Sequence, residues 1–227
     1  MRTTGLSTVS LSFLLICIMM AMSVNTSQAQ VALGLKVGTT GIGADGSIPL
    51  YDNKLNARIS GSFFSYEQSG VYSDQNPSIA YNANLGITSI GAIADYFPFD
   101  NSLKLSGGLY YYDFSVDGEA TPNEPYTIEG RTFQPEKMGS LSADVGFGSN
   151  LVPYAGIGLG NPVHSDRPLT FTIELGALYT NSPQITMNGE GMISPTADQA
   201  QDFEKGVSDF MFYPVLNLGL SYRILSK

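Results

Sequence analysis

The chain has 227 residues with 20 acidic and 11 basic side chains and a single histidine, for a formal net charge of -9. An acidic balance of this kind excludes nucleic acid as a partner, which demands basic surface. The one cysteine, Cys17, excludes a disulfide framework and thiolate metal centres.

The N-terminus reads as an export signal. Arg2 precedes an apolar stretch from Leu11 to Val24, and Ser27-Gln28-Ala29 sets small residues at the two places a signal peptidase reads. The predicted division is a signal peptide over 1–29 and one mature domain over 30–227. Ser7, Thr8, Ser10 and Ser12 shorten the apolar core below the ~20 residues a membrane-spanning helix needs. Ile16 stands where a lipoprotein signal carries a small residue, so no lipid is expected on Cys17.

Beyond the leader no apolar run approaches helix-spanning length, and the apolar segments alternate with period two. Val31, Leu33, Leu35 and Val37 oppose Ala32, Gly34, Lys36 and Gly38. Ile42, Ala44, Ile48 and Leu50 oppose Asp45 and Ser47, and a break at Thr39-Thr40-Gly41 separates these two strands. Leu55, Ala57, Ile59 and Phe63 then oppose Asn56, Arg58, Ser60 and Ser62. Between Leu85 and Phe99 the alternation changes phase near Ser89, which predicts a β-bulge there; beyond it Ile90, Ala92, Ala94 and Tyr96 oppose Gly91, Ile93 and Asp95. Leu103, Leu105 and Leu109 oppose Lys104 and Ser106. Residues 139–160 read as one strand kinked near Ser149-Asn150, in which Leu141, Ala143, Val145 and Phe147 oppose Ser142 and Asp144. Leu169, Phe171, Ile173, Leu175 and Tyr179 oppose Thr170, Thr172, Glu174 and Gly176. A weak helical spacing of Phe203, Val207 and Phe210 within 196–209 predicts a short helix before the last strand, where Leu218, Leu220, Tyr222 and Ile224 oppose Asn217, Gly219, Ser221 and Arg223.

Connections alternate in length: 51–54, 100–102 and 161–168 are short, whereas 67–84, 117–137 and 188–209 are long, polar and rich in Gly or Pro. Short turns on one side and long loops on the other, with strands of one apolar face, define an all-β, antiparallel up-and-down transmembrane barrel of eight strands. Aromatic residues gather near strand ends, as interfacial girdles do: Tyr51, Tyr96, Phe97 and Phe99 by short turns, Phe63, Phe64, Tyr66 and Tyr110 to Tyr112 by long loops.

With the apolar faces turned to lipid, the mid-strand charges line the lumen: Lys36, Arg58, Lys104 and Arg223 against Asp45, Asp95, Asp144 and Glu174. A barrel of eight strands is just wide enough for side chains to fill it, and buried charges persist when paired, so these eight predict an ion-pair network plugging the lumen. The acidic excess then falls in the external loops. Asp198, Asp202 and Glu204 cluster there without calcium-loop spacing, so no metal or other cofactor is expected.

Two apparent motifs carry little chemistry. Gly41-Ile42-Gly43-Ala44-Asp45-Gly46 fits a dinucleotide fingerprint in letters but lies in β pattern with no following helix. His164-Ser165-Asp166 crowds base, hydroxyl and carboxylate on one short turn, where nucleophile and base cannot easily face each other.

The closing strand resembles the terminal targeting strand of bacterial outer-membrane barrels, with Asn217, Gly219, Tyr222 and Ile224 in its four signal places; it ends in Ile224 rather than the usual aromatic residue. Across the mature domain the chain resembles a family of uncharacterised Gram-negative outer-membrane barrel proteins, through Lys36-Val37-Gly38-Thr39-Thr40-Gly41-Ile42-Gly43, Asp95-Tyr96-Phe97-Pro98-Phe99, Pro153-Tyr154-Ala155-Gly156-Ile157-Gly158 and Phe212-Tyr213-Pro214-Val215. It is more distantly similar to small outer-membrane protein A and W type barrels. The resemblance implies outer-membrane location, contact with outer-membrane lipids and the barrel assembly machinery, and a monomer. The expected function is a structural or narrow channel-type barrel without enzymatic activity. Two alternatives are a lipid-modifying enzyme acting on lipid A or phospholipid through His164, and a secreted, lipocalin-like barrel with its apolar faces turned inward.

Overall fold

The computed structural model describes residues 31–51, 54–73, 77–99, 102–128, 130–164, 168–192, 194 and 200–224. The export signal over 1–29, together with Ser165, Asp166 and Asp198, lies outside the described residues, as does the side chain of Asp202. The strands are β1 (Val31–Gly38), β2 (Gly41–Tyr51), β3 (Leu55–Tyr72), β4 (Ile79–Tyr96), β5 (Leu103–Pro122), β6 (Tyr126–Ile128), β7 (Arg131–Phe133), β8 (Leu141–Phe147), β9 (Leu151–Leu159), β10 (Leu169–Tyr179), β11 (Pro183–Gly189) and β12 (Phe212–Ile224). Among the described residues two α-helices, α1 (Pro135–Met138) and α2 (Ala200–Val207), sit in the long connections.

Alternation sends successive side chains to opposite faces of each strand, and the sheet closes on itself. β12 pairs with β1 from Val31↔Ile224 to Gly38↔Asn217, joining the first and last described strands. Antiparallel neighbours then follow in chain order through β5. The first half of β5 pairs with β9 and its second half with β8, so β8 and β9 form one course interrupted at 148–150. β10 and β11 likewise form one course, broken where Asn181 adopts a left-handed backbone at φ 61. The ring has eight courses.

The β1–β2 connection is only Thr39-Thr40, although it lies on the long-loop end. Gly41 follows at φ 102, and a Cβ there would run into the Phe63 carbonyl, so only glycine fits. The turn is clamped to β12: the Thr39 amide donates to the Leu216 carbonyl at 3.0 Å, and the Tyr213 hydroxyl donates to the Thr39 carbonyl at 2.7 Å.

β3, β4 and β5, of 18, 18 and 20 residues, run well past the ends of β1 and β2, and with β8 and β11 they build a sheet extension beyond the loop end of the ring. In the ring the outward positions are apolar and exposed, among them Leu35, Ile59, Leu109, Phe171 and Leu218. Exposed aromatics border this belt: Tyr51, Tyr96, Phe99 and Tyr222 at the turn end, Phe63, Tyr111, Tyr179 and Phe212 at the loop end. Phe97, Tyr110 and Tyr112, expected in these girdles, are instead buried.

The expected bulge near Ser89 is absent. β4 keeps unbroken register with β3 and β5 from Ile79 to Tyr96. The phase change has another cause: Ile87 and Ile93 share the inward face with Ser89, Gly91 and Asp95, because the interior along β4 mixes apolar with small and polar side chains. There Ile87, Ile93, Tyr110, Tyr112, Val152, Tyr154, Leu178 and Val215 pack with Leu85, Phe114, Phe147 and Tyr213. The register irregularity that does occur lies between Pro49 and Tyr51, at the turn end of β2.

Candidate functional site

Six strands each send one long charged side chain into the middle of the lumen: Lys36 from β1, Asp45 from β2, Arg58 from β3, Asp95 from β4, Lys104 from β5 and Glu174 from β10. All stand on the inward parity, and small neighbours on the same face leave them room to cross. Lys104, for example, lies over Gly158, where an added Cβ would come 2.8 Å from its Cε.

Arg58 is the hub. Its guanidinium grips Asp95 with two bonds, Nε to Oδ2 at 2.8 Å and Nη2 to Oδ1 at 3.0 Å, the fork geometry that suits a carboxylate. Its Nη2 also donates to Glu174 Oε2 at 2.7 Å, and its Nη1 stands 3.6 Å from Asp45. Lys104 bridges Glu174 at 2.5 Å and Asp95 at 3.6 Å, and Lys36 meets Asp45 at 3.3 Å and donates to Ser60 Oγ. Three positive charges thus face three negative ones.

Neutral groups complete the coordination. Ser106 Oγ donates to Asp95 Oδ1 at 2.6 Å, and the Tyr154 hydroxyl to Glu174 Oε1 at 2.6 Å. Neither residue was singled out from the sequence. The signal for Tyr154 was its inward parity beside glycines: its hydroxyl lies 2.5 Å from where a Cβ on Gly176 would stand.

Two charges expected in this network are not part of it. Asp144 is exposed on the outer face of the sheet extension, paired in register with Asp117 of β5 and Thr186 of β11. Slight desolvation, the hydrogen bond shared with Asp144 and the repulsion between the carboxylates raise the pKa of Asp117 above the usual aspartate value. Beyond the ring the outward face is wet rather than apolar, so the parity that puts charges inside the ring puts them outside here. Arg223 does face inward, but at the turn end, where its Nη1 donates to the Val163 carbonyl at 3.3 Å.

His164 lies in the β9–β10 connection at the turn end, its amide donating to Asn161 Oδ1 at 3.3 Å. Of the assembly-signal positions, Asn217 and Gly219 face inward, whereas Tyr222 and Ile224 are exposed on the belt. Among the described residues no group of three or more His, Cys, Asp or Glu is placed to hold a metal ion.

Apolar exterior, polar interior and a fully closed hydrogen-bond ladder define a transmembrane β-barrel. No protein-family model matches the chain, and no curated protein does. Among solved structures the chain is similar to CarO2 of Acinetobacter baumannii, at 17% identity and a TM-score of 0.57 over 88% of this chain and 100% of that one. CarO of Acinetobacter baumannii matches at 15% identity and a TM-score of 0.56, covering 84% of this chain and 96% of that one. A major outer membrane protein from Thermus thermophilus aligns at 13% identity with a TM-score of 0.47, over 86% and 99% of the two chains. At these identities the likeness is one of fold.

Proposed function

We propose that this protein is an integral outer-membrane barrel whose lumen is held shut by paired charges and which acts as a structural barrel or a narrow channel. The observation that carries the reading is the balanced cluster around Arg58, which spans the lumen between the walls. A closed interior of this kind conducts ions only when its pairs exchange partners. Arg58 already holds three carboxylates at once, so alternative pairings lie close at hand. The apolar belt and its two aromatic borders support the membrane location, and they speak against the lipocalin-like alternative, which needs apolar faces inside. The closing strand, with Tyr222 and Ile224 outward, is proposed as the assembly signal.

The test begins with expression of the full-length chain in a Gram-negative host. Recovery in the outer-membrane fraction, with migration on unboiled gels that shifts on boiling, is the expected result; a soluble periplasmic product would sink the reading. In planar bilayers, neutralising Arg58 or Glu174 is expected to change conductance, and unchanged conductance would count against the charge-paired gate.

A further inference from the structure

The interior of the barrel is uneven around its circumference. On the loop side of the charge cluster, β5, β9, β10 and β12 present Tyr110, Tyr154, Val152, Leu178 and Val215. The facing wall, β2 to β4 with the β1–β2 turn, carries a line of hydroxyls, flanked on β4 by Ile87 and Ile93. Lys36 Nζ donates to Ser60 Oγ, Ser62 stands one inward position further along β3, and Ser62 Oγ bonds to Thr40 Oγ1 at 2.9 Å and Ser89 Oγ at 2.7 Å. All four hydroxyl residues are buried. They form a polar seam from the charge cluster to Thr40, where the wall is lowest.

The seam is covered by one ring. Tyr110 lies flat on Gly91, where a Cβ would meet its Cε1 at 2.5 Å, packs edge-on against Tyr154 with centroids 5.3 Å apart, and donates to Ser60 Oγ at 3.3 Å. The charges themselves enclose a cavity of about 20 Å³, lined by all six of them together with Ser47, Thr172, Asn217 and Ser221. That volume holds one water molecule. Asn217 is 5% exposed, and neither its amide nitrogen nor its oxygen bonds a protein group among the described residues. An unmet donor and an unmet acceptor side by side offer a neutral hydroxyl- or amide-bearing guest two partners.

Resting on the channel reading above, we infer that the permeant path is this seam, that Tyr110 is its gate, and that it passes small uncharged solutes bearing hydroxyl or amide groups. Apolar solutes would break the hydroxyl–hydroxyl bonds of the seam without replacing them. Ions would exchange their hydration for a few neutral hydroxyls, past a cluster with no net charge to attract them.

The test is osmotic swelling of proteoliposomes carrying the full mature chain, with glycerol as the probe and potassium chloride conductance measured in parallel. Tyr110→Ala is expected to raise glycerol uptake several-fold, Tyr110→Phe to leave it low because the ring stays on Gly91, and Ser62→Val added to Tyr110→Ala to cancel the gain. If Tyr110→Ala/Ser62→Val passes glycerol as fast as Tyr110→Ala, the seam is refuted while the channel reading stands. If folded Tyr110→Ala passes neither glycerol nor ions, the channel reading falls and the inference with it. Should Tyr110→Ala fail to fold, single cysteines decide, since Cys17 is the only native one. Ser62→Cys is expected to react with iodoacetamide and Val215→Cys, on the apolar wall, to stay inert; equal reactivity, or an inert Ser62→Cys, overturns the proposal.

Discussion

Arg58→Gln takes one positive charge from a cluster that holds three of each sign, and leaves Asp45, Asp95 and Glu174 against Lys36 and Lys104 alone. The side chain of Arg58 is 5% exposed, those of Asp95 and Glu174 are 4% and 3%, so solvent does little to offset the loss. Removing one partner of a buried pair destabilises by about 3–5 kcal/mol, because the other charge stays buried without compensation. Asp95→Asn alone leaves the opposite imbalance. Combining it with Arg58→Gln restores two against two, so the double variant is expected to be less destabilised than the sum of the singles, by about 1–3 kcal/mol of coupling. The assay is urea unfolding in lipid vesicles, followed by far-ultraviolet circular dichroism and tyrosine emission. Strictly additive losses, or an Arg58→Gln cost below about 1 kcal/mol, the size of an exposed ion pair, would refute the picture of a dry, mutually dependent cluster.

Leu218→Arg, at the middle of the outer belt, is expected to destabilise the barrel in vesicles by about 2–4 kcal/mol, whereas Ser115→Arg on the sheet extension changes stability by less than about 0.5 kcal/mol. Gly41→Ala forces a Cβ onto the Phe63 carbonyl at a positive φ, and a loss of about 1–3 kcal/mol in the same unfolding assay is expected. The raised pKa of Asp117 means that the folded extension holds its proton more tightly than the unfolded chain does. Its stabilising share is therefore complete at low pH and is lost as pH climbs through and above the ordinary carboxylate range near about 4. Hydrogen-exchange protection of the β5–β8 ladder, taken relative to an unstructured chain at the same pH, should fall over that rise, and Asp117→Asn should flatten the dependence.

Much of the architecture was legible because a barrel repeats one simple rule on every strand. The break at Thr39-Thr40-Gly41 and the single course over 139–160 could be read from alternation and turn residues, and six of the charged positions could be placed by parity alone. Parity, however, gives a side and not an environment. Asp144 obeys the same alternation as Lys104, yet it stands beyond the belt, where the outward face meets water and the inward face is apolar. The same change of surroundings made continuous β4 look bulged near Ser89, since Ile87 is inward and apolar while Ser89 is inward and polar. Tyr110, Tyr112 and Phe97 were misplaced in the girdles because neighbouring aromatics at a strand end point alternately to lipid and to lumen. Height along the strand depends on where the sheet closes, and that is set by pairings across the ring.

The central claim is that the alternating apolar face meets lipid while the charged face is sealed inside. The sequence has no tryptophan, so a single introduced one reports without background. With Leu35→Trp and Thr172→Trp, folded separately into vesicles with brominated acyl chains, strong quenching of the first and little of the second is the expected result. Equal quenching at both sites, or none at Leu35→Trp, would contradict it.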